Sequence, residues 1–180
     1  MKSVLTWLAL SLVAFIVLLG IGGLFISNEY EVTRSASIAA ERAKVHELVS
    51  NLDHWENWGP WAADNPALVV VPGEIRSGIG ASQSWTDEKS GKGSLVFTAC
   101  SLEQGVAYDL YFNDDQETCL VDLKYETLES GELLVMWTMK GEVSVPVVGP
   151  YFARMMDSML GPMFEGGLAN LKELAESEDS

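Results

Sequence analysis

YFARMMDSMLGPMFEGGLANLKELA, residues 151–175, carries apolar or small residues at Phe152, Met155, Met156, Met159, Leu160, Met163, Phe164, Gly167, Leu168, Leu171 and Leu174. Spacing of three and four marks one face of a helix, so the segment predicts a long amphipathic helix. Arg154, Asp157, Ser158, Glu165, Asn170, Lys172 and Glu173 fall on the other side. Pro162 removes a backbone donor and costs about 3 kcal/mol inside a straight helix. The apolar phase nevertheless runs through it, which predicts one helix kinked near Gly161–Pro162. Gly166–Gly167 lets its backbone approach a neighbouring sheet closely.

So broad an apolar side needs a broad cover, and the preceding chain supplies one. Tyr30 to Ile38 alternates as a first strand, and Ala39 to Leu52 reads as a helix with Ala43, Val45, Leu48, Val49 and Leu52 on one side. Asp53 to Trp61 is a compact aromatic segment closed by Gly59–Pro60. Six further runs follow: Leu68–Val71, Ile79–Thr86, Gly93–Cys100, Val106–Phe112, Thr118–Leu128 and Leu133–Val143. The breaks between them carry turn chemistry, including Pro72–Gly73, the polar tip Asp87 to Lys92, Gly105 and Glu129–Ser130–Gly131. Connections this short predict antiparallel neighbours. Alternation turns Val106, Tyr108, Leu110 and Phe112, then Cys119, Val121, Leu123 and Tyr125, then Leu133, Val135, Trp137 and Met139 toward the long helix. Asp109, Asp122, Lys124 and Lys140 alternate with them and face water. The expected class is α+β, an antiparallel sheet over one C-terminal helix.

At the other end, Val4 to Ser27 holds no charged residue and exceeds the roughly 20 apolar residues that cross a bilayer as a helix. It predicts a transmembrane anchor over residues 1–28, one domain over 29–175 and an acidic tail over 176–180. The competing reading is a cleaved secretory signal, whose apolar core runs to about 15 residues; Gly20, Gly22 and Gly23 weakly resemble its cleavage site. Lys2 precedes the span and Glu29 and Glu31 follow it, a bias that puts the domain outside the cytoplasm. All 26 acidic residues lie after Ile26, and the formal net charge is −15. That excludes a general nucleic-acid binder, which needs clustered cations to displace counterions from phosphates. Cys100 and Cys119 have a whole strand between them in a simple meander, beyond disulfide reach, so two free thiols are expected.

Five segments together resemble a known superfamily: the run Tyr30 to Val45, Trp55-x-x-Trp58-x-Pro60-Trp61, Gly78 to Trp85, Val135 to Gly141, and Gly161 to Lys172. They are similar to the SRPBCC, or START-like, proteins, specifically the polyketide cyclase/dehydrase group and its membrane-anchored bacterial members. The resemblance implies a helix-grip fold: a curved antiparallel sheet wrapped around the C-terminal helix, with an apolar cavity between them. It also implies a single-pass protein of a bacterial inner membrane with its domain facing the periplasm or exterior. A fold of this kind hosts carriers, receptors and enzymes alike, so chemistry must come from the site.

Catalytic motifs are scarce. There is no Gly-rich phosphate loop, HExxH, CxxC or Gly-x-Ser-x-Gly elbow. His46 and His54 show no orienting partner from spacing alone. No catalytic residue, metal site or cofactor is therefore assigned. Met155, Met156, Met159 and Met163 suit an adaptable apolar cavity or a tight core; copper(I) ligation is a third account. Trp55, Trp58 and Trp61 fill a core or form an interfacial rim. With the cavity that the resemblance implies, the expected ligand-binding residues are Trp85, Tyr108, Leu110, Val121, Leu123, Trp137, Met155, Met159 and Met163. The expected function is a membrane-tethered binding protein for a lipid or other hydrophobic small molecule. The alternatives are a cyclase- or hydrolase-like enzyme drawing on Tyr108, Tyr125 and Gln83, and a filled-core interaction module without ligand.

Overall fold

The computed structural model describes residues 2–23, 25–60, 68–87, 91–112 and 117–177. Trp61, most of the tip between Asp87 and Lys92, and the tail beyond Ser177 lie outside them. In chain order come helix α1 (Lys2–Gly23), strand β1 (Glu29–Ile38), helix α2 (Arg42–Ser50), a 3-10 turn (Leu52–His54) and the short α3 (Trp55–Trp58). Then follow β2 (Val70–Pro72), β3 (Ser82–Asp87), β4 (Gly91–Ser101), β5 (Gly105–Phe112), β6 (Glu117–Thr127), β7 (Leu133–Glu142) and the long helix α4 (Gly149–Glu176).

The strands make one sheet in the order β1-β7-β6-β5-β4-β3-β2, antiparallel throughout. From β2 to β7 it is the meander expected from the short turns. β1 instead crosses to the far edge and pairs with β7 from Glu29↔Glu142 to Ile38↔Leu133. A register shift between Phe97 and Ala99 in β4 is a bulge, the usual device for bending a sheet. Alternation holds. Val106, Tyr108 and Leu110, Val121 and Leu123, and Leu133, Val135, Trp137 and Met139 are buried on the concave side. The convex side carries ion pairs Lys124–Asp122 at 3.3 Å and Lys140–Glu31 at 3.2 Å.

α4 is unbroken through Pro162. Pro150 sits in its first turn, where a missing N–H is harmless. The face it buries differs from the one expected, because Met155 and Met159 are 53% and 55% exposed and lie beside an exposed Phe152. The buried line keeps Phe164, Gly167, Leu168 and Leu171 of the expected face and adds Gly149, Ala153, Gly161 and Ala175. The apolar arc of the helix is wider than the strip that the sheet covers, and spacing does not say which edge of a wide arc stays outside.

What occupies the inner side near the middle of α4 is Arg34, which projects from β1. Its Nη1 donates to Asp157 Oδ1 at 2.8 Å and its Nε to Glu165 Oε1 at 2.6 Å, one turn on either side of Gly161. A Cβ on Gly161 would stand 2.0 Å from Arg34 Nη2, so the glycine makes the notch for the guanidinium. The Arg34 hydrogen bonds hold the Asp157 carboxyl below its ordinary range. Further along, Gly167 lets Trp137 and Pro60 approach, whereas Gly166 faces open space.

The first two tryptophans are core, not rim. Trp55 Nε1 donates to Val49 O at 2.9 Å and Trp58 Nε1 to Leu48 O at 3.0 Å, tying α3 to the end of α2. Trp55 packs edge-on to Trp58 and Tyr108, and Trp58 edge-on to Trp137, with ring centroids 5.2, 5.4 and 5.6 Å apart. Cys100 and Cys119 are both free. Their register partners are Val106 and Leu110 of the intervening β5, as the meander requires.

Candidate ligand cavity

Between the concave face and the middle of α4 lies a cavity of about 250 Å³. β3 contributes Gln83 and Trp85, β5 contributes Tyr108, Leu110 and Phe112, β6 contributes Val121, and β7 contributes Trp137 and Met139. α4 closes it with Leu160, Met163 and Phe164, and Leu68 and Val70 finish the rim. The void exists because large rings hold the walls apart. Trp137 stacks flat on Phe164 with centroids 4.5 Å apart, and Trp85 meets Phe112 edge-on at 6.0 Å.

Six of the nine residues expected from sequence meet here: Trp85, Tyr108, Leu110, Val121, Trp137 and Met163. Leu123 is completely buried, yet it packs in the solid part of the core, two residues along β6 from the lining Val121. Met155 and Met159 are on the outer side of α4 and do not reach the cavity. Phe112, Met139, Leu160 and Phe164 line it as well, each on the inward phase of its element though not among the residues expected. Leu68 and Val70 were hidden by a short edge strand whose pattern marks no face.

No carboxylate, imidazole, ammonium or guanidinium lines the cavity among the described residues. Its polar groups are the Gln83 amide, the Tyr108 hydroxyl and the Trp137 indole N–H. Burial drives the Tyr108 hydroxyl well above its ordinary pKa, so it stays protonated and acts as a hydrogen-bonding group, not as a base.

A second polar cluster sits away from the cavity. His46 of α2 has Nδ1 3.4 Å from the Tyr125 hydroxyl and Nε2 3.7 Å from Cys100 Sγ. The orienting partner that spacing alone did not show is thus Tyr125, brought in by β6. Burial lowers the His46 pKa and raises those of Cys100 and Tyr125. All three are therefore neutral near pH 7, the opposite of an activated thiolate beside an imidazolium. His54 lies at the surface, with Nε2 3.6 Å from Glu47 Oε1.

Known structures share this architecture. A Thermobifida fusca protein solved in solution, 20% identical, superposes with a TM-score of 0.62 over 83% of this chain and 97% of its own. A Staphylococcus aureus protein of unknown function, 9% identical, reaches 0.63 over 82% and 94%. Ara h 8.0201, 12% identical, reaches 0.59 over 83% and 99%. At these identities the likeness is one of fold. No curated protein matches the chain. The family described as "Polyketide cyclase / dehydrase and lipid transport" matches residues 29–176, which take in the whole sheet, both short helices and the helix that closes the cavity. The chain belongs to that family.

Proposed function

We propose that this protein holds a lipid or another hydrophobic small molecule in the cavity under α4, and does so while tethered to a bacterial inner membrane by α1. The observation that carries the reading is a partly open cavity of about 250 Å³ whose walls, among the described residues, are mostly apolar and uncharged. Such a wall offers burial to a ligand and no acid or base to a reaction, which favours binding over cyclase- or hydrolase-like chemistry. The space also speaks against a filled-core module. Membership of a family described by lipid transport points the same way.

The tether rests on α1, whose 22 residues span about 33 Å at 1.5 Å per residue, enough for a hydrocarbon core of about 30 Å. Tyr151 at the start of α4 donates to Leu19 O at 3.0 Å, so the binding domain adjoins the end of that helix. The orientation with the domain in the periplasm or exterior follows the charge bias around the span. Full-length protein is expected to stay with membranes through carbonate extraction, and a form beginning at Ser27 to be soluble. A mature N-terminus found near Gly23 would replace the tether with a cleaved signal.

Binding is tested at Met163, which is half-buried and lines the void. Met163→Trp places an indole in existing space, so stability is expected to change by less than about 1 kcal/mol. Affinity for N-phenyl-1-naphthylamine, an uncharged apolar fluorophore, is expected to fall at least about tenfold because the ring takes the ligand's volume. Fluorescence titration and thermal unfolding of the two proteins check this. A wild type that never binds the probe removes the proposal.

A further inference from the structure

Gln83 is 8% exposed, lines the cavity, and its side-chain amide makes no hydrogen bond within the described residues. It is a polar residue in an inward phase, between the buried Ala81 and the ring of Trp85, where alternation calls for an apolar one. The amide is not sealed in the packed interior but opens on the cavity, so hydrogen-bonding capacity that the protein leaves unused is presented to whatever occupies that space. No hydrogen bond joins the amide to Tyr108 or Trp137, the other polar residues of the lining.

We infer that Gln83 is the hydrogen-bonding anchor for the polar end of the ligand, and that this ligand is an uncharged, single-chain amphiphile bearing an ester, amide or hydroxyl group. The inference rests on the proposed function and narrows it. A primary amide offers two N–H donors and a carbonyl acceptor, so it pairs with a neutral carbonyl or hydroxyl in one geometry or the other. Among the described residues no cation lines the cavity, so a carboxylate or phosphate taken inside would be buried without a counter-charge from them. The formal net charge of −15 also repels anions before they arrive. Size sets the chain count: about 250 Å³ falls just below the roughly 300–1,000 Å³ usual for small-molecule pockets, room for one chain and not two.

The test is a competition series against N-phenyl-1-naphthylamine at pH 8, using full-length protein and ligands of equal chain length: dodecane, dodecanol, methyl dodecanoate and dodecanoate. Wild type is expected to bind the alcohol and ester roughly tenfold more tightly than dodecane, one hydrogen bond to a buried amide. Dodecanoate is expected to bind at least about tenfold more weakly than its methyl ester. In Gln83→Leu the ratio of ester to alkane affinity is expected to collapse to within about twofold. Probe binding with no preference among the four head groups in wild type, or an unchanged ratio in the variant, overturns the anchor while leaving the cavity reading standing. No probe binding at all overturns both.

Discussion

Gly105→Ala is expected to cost about 3 kcal/mol or more. Gly105 opens β5 at the turn from β4 with φ +104, a conformation that L side chains rarely adopt. A Cβ there would stand 1.8 Å from the carbonyl oxygen of Leu123 in the neighbouring β6. That oxygen belongs to a backbone fixed between two strands and has no rotamer with which to retreat. Either β5 and β6 part at this end, or the turn changes type and the register of Ser101↔Gly105 is lost. Thermal unfolding followed by circular dichroism reads the effect, expected at roughly 6 °C or more for a domain of this size. A loss below about 1 kcal/mol would show that the turn relaxes at little expense.

Trp137→Ala is expected to lower stability by about 3 to 5 kcal/mol. The side chain is fully buried, stacked on Phe164 and set edge-on to Trp58, so it joins β7 to both α3 and α4. Its removal takes away that contact and opens a void continuous with the existing cavity. The urea midpoint should fall with an unchanged m-value. The enlarged space should also take up apolar ligand, so saturating N-phenyl-1-naphthylamine is expected to recover part of the loss by mass action. A midpoint within about 1 kcal/mol of wild type would mean that α4 settles inward and refills the site.

Both predictions draw on features with unequal visibility in sequence. Gly105 stands at a recognisable turn, but its clash with Leu123 depends on the register of the next strand. Trp137 was legible outright, because period-two alternation in β7 fixes its face and strand spacing fixes its neighbours. The same logic located Tyr108, Leu110 and Val121, and the turn residues between them made the meander readable. Helical periodicity was less decisive. A 28-residue helix with apolar residues over a wide arc has several candidate inner lines, and Arg34, a cation on the concave side of β1, selected among them. Nothing local to β1 announces that its arginine will meet Gly161 of α4. Met155 and Met159 lie outside the cavity for this reason, and Leu123 does so because burial and cavity lining are different properties of one inward face.

The pairing of β1 with β7 bears on how the chain reaches this shape during synthesis. β1 emerges directly behind the apolar helix, yet its strand partner ends at Glu142, opposite Glu29, and the helix that engages Arg34 through Asp157 and Glu165 comes later still. Through more than a hundred residues of vectorial emergence, β1 has no edge to join and the concave side has no lid. Meander strands can zip in the order they appear, since each needs only its predecessor. β1, the first strand made, is thus the last to join the sheet, and closing of the grip waits for the chain's final helix. The cavity under α4 therefore has all its walls only once the last helix has docked, so its shape depends on the final step of assembly.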